Sequence, residues 1–137
     1  MKNKRAQRGA TILEFAIAVP ILVLLMMGII EFARVMGAYQ TLTDAAREGC
    51  RYAVAPMPGT ATLPTTNQIQ DVVYTFLDSA GIPRASSTVA VNQTTSVVNG
   101  INLTFTDVQV TAPYTFVLLP VGSVTLDTHV VMRNETN

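Results

Sequence analysis

Two apolar patterns run in series through the first part of the chain. From Phe15 to Ile30 every side chain is apolar or absent. A helix that is apolar all round is buried in a core or in lipid. Counted from Ala10 to Ile30, such a helix would rise about 31 Å, against ~30 Å for the hydrocarbon of a bilayer. After Glu31 the pattern becomes one-sided. Apolar or small residues recur at Phe32, Val35, Met36, Tyr39, Leu42, Ala45, Ala46, Gly49, Cys50 and Ala53, in steps of three and four. That spacing places them on one side of a continuing helix. Arg34, Gln40, Thr41, Asp44, Arg47, Glu48 and Arg51 fall between them and can face water. Pro56, Pro58 and Gly59 end the run. The expectation is one helix from Thr11 to Val54, its first half in lipid and its second half outside. Its packing face would include Phe32, Met36, Tyr39, Ala46 and Gly49. The small residues there allow a close approach by the chain's own sheet or by another subunit's helix. Pro20, which lacks an N–H and crowds the preceding turn, predicts a kink within the apolar half.

Beyond a Pro-, Gly- and Thr-rich stretch at 57–66, Thr65 and Gln68 have the spacing of a capping box. Ile69, Val72, Val73, Phe76, Leu77 and Ala80 then mark a helical stripe, closed by Gly81 and Pro83. From Ser87 the texture turns to Val and Thr. Val89 and Val91 open a strand, and Asn99-Gly100 signals a hairpin turn. Leu103 and Phe105, followed by Val108, Val110 and Ala112, read as a second strand. Its alternation slips near Thr106-Asp107, which predicts a bulge. Pro113 and Pro120 bracket Tyr114–Leu119, a segment expected to be an edge or crossover. Val124, Leu126, Thr128, Val130 and Met132 alternate as a last strand, with His129 out of phase and exposed. Two helices and about three antiparallel strands make a small α+β unit, with the apolar face of the sheet lying on the outer half of the long helix. The division expected is a basic leader at 1–9, a transmembrane helix at 10–30, its extramembrane continuation at 31–55 and a small α+β domain at 56–137.

Charge adds a direction. Lys2, Lys4, Arg5 and Arg8 precede Gly9, which leaves five of the nine basic residues to face nine acidic ones. Basic residues beside a membrane helix stay cytoplasmic, so Glu31 onward is expected outside. The remainder is too acidic for a nucleic-acid surface. A cleaved secretory signal has a shorter apolar core followed by a small-x-small exit. Here the longer run leads into Glu31-Phe32-Ala33-Arg34. The single cysteine, Cys50, cannot form an internal disulfide, and it reads as a small buried helix residue.

Glu14 interrupts the apolar run about one turn from its start. An ionised carboxylate inside a bilayer costs roughly 2.5–3.5 kcal/mol or more, so it needs a partner. A basic leader, the small residue Gly9, then Ala10-Thr11-Ile12-Leu13-Glu14-Phe15 and an apolar helix resemble the processing site of a type IV prepilin. The resemblance implies cleavage between Gly9 and Ala10 by a membrane-embedded prepilin peptidase. It also implies that Glu14, with Phe15 beside it, pairs with the new N-terminal ammonium of a neighbouring subunit. A wider set of residues resembles TadE-like proteins, the pseudopilins of the Tad (tight adherence, Flp-type) pilus system. These are Arg8-Gly9, Glu14-Phe15-Ala16, Pro20, Gly28, Glu31-Phe32, Ala45-Ala46-Arg47-Glu48-Gly49 and Arg51-Tyr52-Ala53. Ala10 as first mature residue departs from major type IV pilins, which usually begin with Phe.

No catalytic constellation, metal-ligand spacing or phosphate-binding loop is present in the sequence. Neither an enzyme, a cofactor nor a small-molecule substrate is expected. The resemblance implies a minor pilin in the bacterial inner membrane. Its partners would be lipid, the prepilin peptidase, other pilin or pseudopilin subunits and the pilus assembly machinery. The alternative is a non-polymerising single-pass membrane protein whose outer domain binds a partner or surface.

Overall fold

The computed structural model describes residues 4–55, 62–98, 101–118 and 122–134. Helix α1 runs from Lys4 to Val54. It starts within the leader rather than at Thr11, and it ends where expected. The helix continues through Pro20 without interruption. Among the described residues no side chain from 11 to 30 is buried. Ile12, Phe15, Ile21 and Leu25 are all at least 60% exposed, an apolar surface left uncovered by the protein itself.

Helix α2 spans Thr66–Ser79. The capping box is present: the Thr65 N–H and hydroxyl both donate to the Gln68 side-chain oxygen, at 2.9 and 3.0 Å. The far end is a Schellman motif. Gly81 takes a φ of 80°, its N–H donates to the Asp78 carbonyl at 3.1 Å, and the Ile82 N–H donates to Leu77 at 2.9 Å. Ile69, Val73 and Leu77 of the expected stripe are buried. Ala80 is exposed, because it caps the helix instead of continuing the face.

After a 3-10 turn at Arg84–Ser86, strands β1 (Thr88–Val98), β2 (Ile101–Thr115) and β3 (Ser123–Arg133) form an antiparallel meander in the order β1-β2-β3. The expected Asn99-Gly100 turn lies outside the described residues, as do Pro56, Pro58, Gly59 and Pro120. One expectation for β2 is corrected. The register runs unbroken from Val98↔Ile101 to Thr88↔Thr111 and from Phe105↔Arg133 to Thr115↔Ser123, so there is no bulge at Thr106-Asp107. Thr106, not Phe105, points inward with Val108, Val110 and Ala112. A polar residue holds that inward place because its hydroxyl donates to the Asn134 side-chain oxygen at 2.8 Å. Tyr114 and Thr115 close β2 and pair with β3 alone, the edge arrangement of the two expected. Pro113 is tolerated because it lies past Thr88↔Thr111, the last β1 pair, and is paired with β3 alone.

The core lies between the inner face of this sheet and the two helices. Leu42, Ala45, Ala46, Cys50 and Ala53 of α1 meet Ile69, Val73 and Leu77 of α2 and Val89, Val108, Val110 and Ala112 of the sheet. A Cβ at Gly49 would collide with Val73 Cγ2 and touch Val108 Cγ1, so glycine lets α2 and β2 approach the α1 backbone. Helix α2 also covers the start of the β1 edge. Gln70 donates to the Val89 carbonyl at 2.9 Å, and the Val89 N–H donates to the Tyr74 hydroxyl at 3.3 Å. The outer face of the sheet is polar, as one wet face of an antiparallel sheet should be. There Gln109 and Thr111 donate to Asp127, and these bonds hold its carboxyl below its ordinary value.

Candidate functional site

The strand directions decide what lies beside the end of the apolar run. Strand β2 runs back along α1, from Thr106 beside Cys50 to Tyr114 beside Glu31. Tyr114, Val117 and Leu118 therefore sit at the level where the apolar run of α1 ends. Glu31 is the first residue after that run and is only 1% exposed. Its carboxylate accepts the Tyr114 hydroxyl at 2.9 Å and the backbone N–H groups of Val117 and Leu118, both at 3.0 Å. Arg34, one turn further out, stands 3.8 Å away and is half-exposed. Burial pushes the Glu31 pKa up, but the two backbone N–H groups, the tyrosine hydroxyl and the Arg34 charge outweigh it and hold the carboxyl below its ordinary 4.5. Burial and the bond to Glu31 in turn raise the Tyr114 pKa.

The turn held this way is shaped from its own residues. Phe116 donates its N–H to the Gly122 carbonyl at 3.1 Å, and Gly122 takes a φ of 102°, open to glycine at little cost. The Phe116 ring meets the Tyr114 ring edge-on, with centroids 5.6 Å apart. Val117 is 66% exposed and Leu118 is 38% exposed.

The sequence-predicted residues are dispersed along α1. The backbone of Gly9 and Ala10 lies within the helix. Glu14 and Phe15 are exposed, and among the described residues Glu14 has no ion-pair partner. Pro20 lies in the uncovered apolar half. The expected packing face divides into two. Ala46 and Gly49 are buried against α2 and the sheet. Phe32, Met36 and Tyr39 are exposed. Met36 and Tyr39, with Gln40, Thr43, Asp44 and Arg47, line an open groove along the helix, where the Thr43 and Thr128 hydroxyls are 3.2 Å apart. The side of α1 that meets the domain runs instead through Glu31, Leu42, Ala45, Gly49 and Ala53, with Val35 and Ala38 half-buried.

Sequence reasoning missed the Glu31 clasp. In the sequence Glu31 marks the end of the apolar run and, with Phe32, part of the TadE-like resemblance, neither of which points to a partner for its carboxylate. The available signal was an acid at that boundary together with a Tyr114-Thr115-Phe116-Val117-Leu118 segment too apolar for an ordinary exposed turn. Cys50 is buried, and its thiol donates to the Val130 carbonyl at 2.9 Å. Burial pushes its pKa up to about 11, and the nearby Asp107 charge adds to the effect. Among the described residues no group of His, Cys, Asp and Glu side chains is placed to hold a metal ion.

Residues 9–51 match a family model described as TadE-like protein. The match covers the small residue before Ala10, the whole apolar run, Glu31 and most of the packed half of α1. It shows the TadE-like resemblance read from those residues. No curated protein and no solved structure matches the chain.

Proposed function

We propose that this chain is a pseudopilin, or minor pilin, that helps to assemble or initiate a Tad (Flp-type) pilus. The observation that carries the reading is the TadE-like match over residues 9–51. At the family level TadE-like proteins are pilus-associated minor pilins, structural components and not known enzymes. The uncovered apolar surface from Thr11 to Ile30 supports a membrane anchor. The basic residues before Gly9 support a cytoplasmic N-terminus in a single-pass inner-membrane topology.

In this reading the helix is stored in lipid until a prepilin peptidase cuts between Gly9 and Ala10. Glu14 is then the fifth residue of the mature chain. Its carboxylate takes the Ala10 ammonium of a neighbouring subunit, which offsets the cost of a charge in low dielectric and sets the register between helices. Pro20 supplies a bend where the helix passes from lipid to assembly. The exposed Phe32, Met36 and Tyr39 are free to meet a second subunit's helix. The groove beside them carries Asp44 and Arg47, paired with each other at 3.1 Å.

The deciding measurement is the intact mass and N-terminal residue of the membrane-extracted protein, made with and without a prepilin peptidase. A chain beginning at Ala10 only when the peptidase is present is the expected result. A chain still beginning at Met1 in its native host would instead favour a non-polymerising membrane protein whose outer domain binds a partner or surface. Glu14→Ala is expected to insert and to be cleaved, yet to support little pilus. Unchanged pilus output would remove Glu14 from the mechanism.

A further inference from the structure

The β2–β3 turn has an arrangement that pilus assembly does not explain. Val117 and Leu118 are exposed apolar side chains on a turn, where solvent would favour polar residues. Their backbone is not left to find its own position. Two successive N–H groups are bound by one buried carboxylate, and that carboxylate belongs to Glu31. Glu31 directly follows Ile30, the last residue of the uncovered apolar helix. Val117 and Leu118 are therefore fixed at the level where the apolar run of that helix ends. Phe32, 67% exposed, presents a further apolar side chain at the same height. Arg34 lies one turn further out, where a half-exposed guanidinium can reach lipid phosphate.

We propose that Val117 and Leu118, directly after β2, form a second membrane contact: their side chains enter the interfacial region of the outer leaflet, and Glu31 clamps these two residues at that depth. The proposal rests on reading Ala10–Ile30 as a membrane span, and continuity with that span identifies lipid as the occupant. Apolar side chains at the headgroup boundary gain by leaving water, as the apolar face of an interfacial helix does. Because one carboxylate ties the turn to the spanning helix, the outer domain cannot pivot freely about residue 31. The contact would hold the domain in one orientation above the bilayer until the subunit leaves it.

The chain has no tryptophan, so one introduced tryptophan is a unique reporter. The full chain would be reconstituted in phosphatidylcholine vesicles, with and without bromine on the acyl chains, as Val117→Trp, Leu118→Trp, Leu22→Trp and Val97→Trp variants. Protection of Cys50 from alkylation verifies the fold of each. Leu22→Trp reports the span, and Val97→Trp reports the far end of the sheet. Val117→Trp and Leu118→Trp are expected to lose most of their emission to brominated lipid and to resist iodide added to the water. Val97→Trp should show the reverse. Adding Glu31→Ala is expected to make the turn tryptophan accessible to iodide while Cys50 stays protected; undiminished lipid quenching in that background would overturn the clamp. Quenching of Leu22→Trp by lipid with the turn tryptophans quenched by iodide would overturn the lipid contact while leaving the span intact. No lipid quenching of Leu22→Trp would overturn the span, and the proposal with it. Iodide protection of the turn that grows with protein-to-lipid ratio, without bromine quenching, would assign the surface to a second copy and overturn the lipid contact.

Discussion

Tyr114 donates its hydroxyl to the Glu31 carboxylate at 2.9 Å, joining positions 83 residues apart at the point where helix α1 leaves its apolar segment. With the N–H groups of Val117 and Leu118, this bond makes Glu31 the principal polar link between the helix and the end of the sheet nearest the membrane.

That link should titrate. The folded Glu31 pKa lies below 4.5, so its contribution is fully present above that value and is lost as pH falls through the folded pKa. Glu48, bonded to Arg51, and Asp127, bonded to Thr111 and Gln109, are shifted in the same direction, so global stability would mix all three. Amide exchange at Val117 and Leu118 reads Glu31 alone. Their protection, measured relative to the intrinsic rate, should hold at neutral pH and fall in acid below about 4.5. In Glu31→Gln the protection should be lower at neutral pH and flat with acidification.

Gly49 and Gly37 should respond in opposite ways to alanine. A Cβ at Gly49 meets Val73 and Val108, whereas at Gly37 it meets nothing within 4 Å. Gly49→Ala is expected to destabilise the outer domain by about 1–3 kcal/mol through overpacking. Gly37→Ala should be neutral or stabilising by up to ~1 kcal/mol through helix propensity. Denaturant titration in detergent, followed by Cys50 exposure, compares the two.

Cys50 should be silent until the domain opens. In the native protein it should resist alkylation and form no intersubunit disulfide, and it should react at once in denaturant. The unfolded thiol ionises near 9 and the folded one at about 11, so stability should fall as pH rises through that window. Counting modified thiols by mass at a series of pH values checks both statements.

Thr106 and Asn134 form a buried polar pair whose members depend on each other. The Asn134 side-chain nitrogen already lacks a partner among the described residues. Thr106→Val alone would strip the oxygen as well and is expected to cost about 1–3 kcal/mol. Combining it with Asn134→Leu should recover part of that loss, and a double-mutant cycle measures the coupling.

Local rules read much of the architecture from the residues alone. The all-apolar run, the capping of α2 by Thr65, its ending at Gly81 and the alternation of β3 each depend on neighbours a few positions away. The Glu14 motif and the small-residue run Ala45-Ala46 with Gly49 carried the TadE-like resemblance for the same reason, being contiguous along one helix. The bulge was misjudged because alternation records which residues are apolar, and Thr106 is an inward residue made tolerable by Asn134, 28 positions away. Phe32, Met36 and Tyr39 were grouped with Ala46 and Gly49 because helical spacing defines a broad side of a helix. Which part of that side is covered depends on where the sheet lands. The fate of Glu31 was equally beyond the sequence. An acid after an apolar run reads as a solvated boundary, and only the return of β2 along α1 brings Tyr114, Val117 and Leu118 to it. Helix α1, its lipid-length segment and its likeness to the TadE-like model follow from short-range order and are legible along the chain. Tertiary structure decided the polar contacts that fix the domain against the helix, because each requires two segments, distant in the chain, to meet at hydrogen-bond distance.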